Sequence, residues 1–171
     1  MKTTHIVSKI LFYVTRFLAI VYFTLSFYSL LTLSTGWFLN FKDDGKYFQI
    51  CYPFTNHPLM LGDYNLPYII FDFLSPLSLY GLFFLLISNV FKVFFQPKLF
   101  TQNGIKHLRR FYLGNLFLPG IIIFISSIFV SLDNEISIFI VLHFMLGIFA
   151  YFLAAIFKQG LNLQNEQDLF I

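Results

Sequence analysis

The chain has 171 residues, 58% of them hydrophobic, 22% aromatic and only 11% charged, with a net charge of +3. A soluble domain carries roughly 25% charged residues, and so short a chain has no core large enough to hide this much apolar surface. The composition therefore excludes a soluble globule, and its unbroken apolar runs argue against a β-barrel, which alternates.

The remaining class is an all-α membrane protein in one domain, with four transmembrane helices in a bundle and the lipid bilayer as its first partner. Lys and Arg flank the apolar runs and form no extended basic face, which argues against direct nucleic-acid binding. Cys51 is the sole cysteine, so neither an intrachain disulfide nor a cysteine-based metal cluster can form.

The first helix is expected at residues 8–35. Lys2, Lys9 and Arg16 precede an apolar run longer than a signal-peptide core, so the segment reads as a retained helix that also targets the chain. Arg16 can snorkel to the headgroups. Tyr13, Tyr22, Thr24, Ser26, Tyr28 and Ser29 make this helix the most polar of the set, and by that token the one most covered by its neighbours.

Residues 36–69 break the pattern. Trp37 to Phe41 and Lys46 to Tyr52 read as two short strands around a turn at Lys42 to Gly45, where Asp44-Gly45 is a strong hairpin signal. Turns at Pro53, Asn56 to Pro58, Gly62-Asp63 and Pro67 complete a small hairpin-like insert, exoplasmic if the flanking charges are read by the positive-inside rule.

The second helix is expected at residues 70–95, with Asp72 in its first turn and Pro76 near its start. The loop at residues 96–110 is the longest basic interval. Thr101 is a good N-cap, and Ile105, Leu108 and Phe111 at helical spacing predict a short amphipathic interfacial helix. It runs into the third helix at residues 111–132.

A tight turn at Ser131 to Ser137 leads to the fourth helix at residues 136–157, where Gly147, Ala150 and Ala154 share a face suited to close contact. The tail, residues 158–171, is too polar for hydrocarbon. Lys2, Lys9, Arg16, Lys92, Lys98, Lys106, Arg109, Arg110 and Lys158 make nine of the eleven Lys and Arg on one side. This bias puts both termini in the cytoplasm.

Four intramembrane polar residues are candidates for function. Arg16, Asn89 and Asn115 fall at comparable depth near the cytoplasmic ends, where a polar cluster would form; plain interhelical hydrogen bonding explains them equally well. His143 lies about 12 Å inside the fourth helix at 1.5 Å per residue. An ionisable residue there is a functional candidate, although an imidazole bonded to a neighbouring helix is the plainer reading. By this spacing it has no carboxylate or second histidine at its own depth. His5, His57 and His107 offer no metal-ligand spacing, and no phosphate loop, nucleophile elbow or paired acid and base is present. The chain reads as non-enzymatic, without cofactor or metal.

The closing segment, Phe157 to Ile171, resembles the C-terminal pattern of a family of small four-helix bacterial inner-membrane proteins, the domain of unknown function 2975 family. Gly160, Leu163, Gln164, Glu166, Asp168, Leu169 and Ile171 match, while Gln167 and Phe170 depart from the usual Asn and Thr. The basic loop is similar more loosely, through Phe100, Thr101, Leu108 and Arg109. The resemblance implies the fold and a cytoplasmic partner, a small helix-turn-helix regulator of the kind often encoded beside such genes. Its contacts would be Arg109, Arg110 and the seven matching tail residues.

The expected function is a non-enzymatic sensor or regulatory scaffold. The alternative is a small transporter or channel subunit with Arg16, Asn89, Asn115 and His143 along its path. Association into a homo-oligomer is compatible with either.

Overall fold

The computed structural model describes residues 2–130 and 136–167. In chain order it contains α1 (Lys2–Thr35), β1 (Leu39–Lys42), β2 (Tyr47–Cys51), β3 (Pro58–Asp63), the single turn α2 (Leu66–Tyr68), a π-helical stretch (Ile69–Leu74), α3 (Ser75–Val93), α4 (Gln102–Ser126) and α5 (Ile136–Gln167). Four helical stretches are long and apolar enough to cross a membrane: α1, the stretch from Tyr68 through α3, α4 and α5.

Helices α3, α4 and α5 form the packed unit. Val90, Val93, Leu108, Phe111, Ala150, Ala154 and Phe157 meet in its core, and the Phe94 and Phe100 rings close edge-on against Phe157. Two glycines permit the approach. A Cβ on Gly147 would lie 2.7 Å from the Leu116 side chain, and one on Gly160 would lie 2.7 Å from the Phe100 ring. The expected tight face at Gly147, Ala150 and Ala154 is therefore the α4–α5 seam.

Helix α1 stands to one side, against α3 and the π-helical stretch. The expectation that α1 is the most covered helix is overturned: most of its surface faces outward, with Tyr13 and Phe17 exposed, and α4 and α5 are the better covered. Two of its buried hydroxyls are satisfied within the helix: Thr15 and Ser29 donate to the carbonyls of Leu11 and Leu25 one turn back, at 2.6 and 2.7 Å. Those same residues with Ser8, Ala19 and Thr32 are the buried small-residue face of α1, and a Ser26–Ser78 hydroxyl pair at 2.7 Å joins α1 to α3.

The hairpin forms as expected. Asp43, Asp44 and Gly45 take positive φ in its turn, and Leu39 to Lys42 pair antiparallel with Ile50 to Tyr47. The insert is nevertheless a three-stranded sheet, because Pro58–Asp63 adds a third strand to β2. Its punctuation resembles turns, but Pro58 sits at the strand start, where a missing N–H is tolerated. Gly62 is required by packing: a Cβ there would lie 2.6 Å from Cζ of Phe48. The sheet docks on the helices through Phe48 against Phe73, ring centres 5.0 Å apart, and through the Tyr28 hydroxyl, which donates to the Cys51 carbonyl at 2.6 Å.

Three helix boundaries also differ from expectation. α1 begins at Lys2 rather than residue 8. The basic loop is mostly helix: α4 is continuous from Gln102, with Thr101 capping it by accepting from the Gly104 N–H at 3.0 Å. Ile105, Leu108 and Phe111 turn into the α3–α5 core and do not form a separate interfacial helix. The tail likewise continues α5 to Gln167, held by Gly160 against Phe100 and by buried Leu161.

Candidate functional site

The expected cluster of Arg16, Asn89 and Asn115 does not form. Arg16 is exposed on the outer face of α1, Asn89 is half-buried on α3, and no hydrogen bond joins either to Asn115. Asn115 instead meets His143. A third helix starting at residue 111 would hold the two at different depths. With α4 starting at Gln102, Asn115 lies 13 residues in, about 20 Å along the axis, and reaches the level of His143 on antiparallel α5.

The pair is well defined. Nδ1 of His143 lies 2.8 Å from Oδ1 of Asn115, and the Asn115 amide donates to the Phe111 carbonyl at 2.8 Å. Oδ1 of Asn115 can only accept, so Nδ1–H of His143 is the donor. Both side chains are buried, and the imidazole packs edge-on to Phe83 with ring centres 5.4 Å apart. Pro119, one turn beyond Asn115, gives no N–H to the Asn115 carbonyl, which loosens the α4 backbone beside the histidine.

On the side toward the sheet, hereafter the cap side, His143 borders a cavity of about 410 Å³ between α3, α4, α5 and the π-helical stretch. Tyr68, Asp72, Tyr80 and Ser126 supply its other polar groups among apolar walls that include Phe71 and Phe139. Asp72 lies within the π-helical turns, where the Ser75 N–H reaches back five residues to the Ile70 carbonyl. Pro76 explains the wider register: it cannot donate to the carbonyl of Asp72, and a π turn absorbs the break. Spacing alone assigned Asp72 to the surface and gave His143 no carboxylate neighbour. Both line the same cavity.

Toward the opposite, basic end the space closes. The gap beyond Asn115 and His143, lined by Phe83, Leu86 and Gly114, measures about 10 Å³. That is room for one water at most. The α3–α4–α5 core follows, so Arg16, Asn89, Asn115 and His143 do not line one path.

At the basic end, Arg109, Arg110, Leu163 and Glu166 are exposed, while Gly160 and Gln164 are half-covered. No ion pair joins Glu166 to Arg109 or Arg110 among the described residues; Asp168, Leu169 and Ile171 lie outside them. The tail is held by apolar packing. Among the described residues there is no cluster of three or more metal-ligating side chains.

The chain matches no family model, no curated protein and no solved structure.

Proposed function

We propose that the protein is a non-enzymatic multi-pass receptor of the bacterial inner membrane. Both termini are cytoplasmic in this reading, and the sheet and cavity face the exoplasm. The cavity beside His143 takes a small ligand, and the basic end engages a cytoplasmic partner. The observation that carries this reading is that α5 serves both ends. It lines the cavity through Phe139 and His143 and runs unbroken to Gln167. From His143 to Leu163 is 20 residues, or about 30 Å of rigid helix.

A displacement of α5 at the cavity would move the exposed Leu163 and Glu166 with it. The partner is the small helix-turn-helix regulator implied by the resemblance, docking on the outward face of the tail helix beside Arg109 and Arg110. Apolar and charged groups alternate there as in helix-mediated recognition. The supporting experiment is co-purification with the regulator encoded next to the gene. Capture is expected to fall at least tenfold in Leu163→Glu and to vanish on deletion of residues 162–171. Undiminished capture by both variants overturns the docking role.

A further inference from the structure

We propose that the cleft between the start of α1 and the segment joining α3 to α4 holds the headgroup of an anionic phospholipid, whose acyl chains follow the exposed face of α1. This rests on the reading above only for the bilayer and for the basic end lying at its inner surface. The cleft measures about 760 Å³, within the range of small-molecule sites. Lys2, Thr4, His5 and Gln96 supply its polar groups, and Ile6, Phe94, Phe95 and Leu99 its apolar wall. The Phe95 ring is fixed edge-on between His5 and Phe12 of α1, with ring centres 6.0 and 5.5 Å away.

Lys2, His5, Lys9 and Arg16 recur at steps of three, four and seven residues, which puts them on one face of α1. Beside that face runs an exposed apolar stripe of Ile6, Ile10, Val14 and Phe17. A phosphate-bearing amphiphile matches both at once, with its charge at the cleft and its chains on the stripe. The side chains of Lys2, Thr4, His5 and Gln96 make no hydrogen bond or ion pair with any described residue, so their donors are open to a ligand. Glu166 is the one carboxylate at the basic end among the described residues, and it does not line the cleft. An anionic headgroup therefore meets cations without a competing carboxylate. A zwitterionic headgroup brings an ammonium group that Lys2 repels and nothing in the lining receives. An acidic peptide would match the charge and leave the stripe uncovered.

The test is native mass spectrometry of the full chain, released from detergent micelles that carry equal amounts of phosphatidylglycerol and phosphatidylcholine with the same acyl chains. Phosphatidylglycerol is expected to be retained about fivefold over phosphatidylcholine. Lys2→Gln combined with His5→Gln, both at exposed side chains, should bring that ratio close to one. Lys158→Gln removes a charge at the same end but outside the cleft, and should leave the ratio unchanged. Excess glycerol 1-phosphate is expected not to displace the lipid; displacement would assign the cleft to a free phosphate ester and overturn the lipid. Equal retention of the two lipids, or an equal loss of preference in Lys158→Gln, overturns the site and leaves the bilayer reading intact. Recovery of the chain in the soluble fraction without detergent overturns both.

Discussion

His143 and Asn115 satisfy each other inside a bundle that has little else polar to offer. Each group without its partner becomes a buried donor or acceptor in apolar surroundings, so the two act as a unit. An interhelical hydrogen bond of this kind contributes about 0.6–2 kcal/mol in a membrane protein. His143→Ala and Asn115→Ala are each expected to lower the thermal midpoint in detergent, and the double variant is expected to lose less than their sum. Strict additivity would mean that the 2.8 Å contact carries no coupling. Both residues were evident from the sequence as intramembrane polar groups. Their pairing was not, because a nine-residue difference in where α4 begins shifts Asn115 by more than two turns.

Helix contacts are set by the residues that are absent as much as by those present. Gly160 lets the tail lie flat on Phe100, and any side chain there collides with the ring. Gly160→Val is expected to cost the tail helix about 1–3 kcal/mol of local stability by overpacking. Amide exchange in residues 158–167 should then speed up while the α3–α4–α5 core stays protected. Unchanged exchange would show that the glycine is not what seats the tail.

The sheet illustrates the same rule. Its first two strands were legible from alternation around Asp44-Gly45. The third was hidden because Pro58 and Gly62 look like turn residues until Phe48 is seen lying over the glycine.

For the whole molecule, the division of labour follows charge. Eight of the eleven Lys and Arg lie toward the end where α1 begins and α5 finishes, Arg16 lies about 21 Å along α1, and Lys42 and Lys46 belong to the hairpin. In a Cys51→Ser background, Asp44→Cys is expected to react with a membrane-impermeant maleimide on intact cells. Lys98→Cys and Glu166→Cys should react only after the membrane is opened. The reverse pattern would invert the orientation, and with it the assignment of ligand and partner sides. The packed core lies toward the basic end and the cavity toward the cap, with His143 and Asn115 at the boundary. The space on the cap side of the pair is not continued directly beyond it, where the gap measures about 10 Å³.

The sequence by itself determined the mostly helical class, the four long apolar helices, the hairpin and the cap at Thr101. These depend on local composition, period and turn chemistry, which need no knowledge of distant residues. Only the tertiary structure decided that α1 packs chiefly on α3, that the basic loop is buried helix on one face, and that Asp72 and His143 share a cavity. Those outcomes depend on helix register and on which small residues let which neighbours approach. A shift of one or two turns, invisible to hydropathy, changes every side-chain partner along a helix.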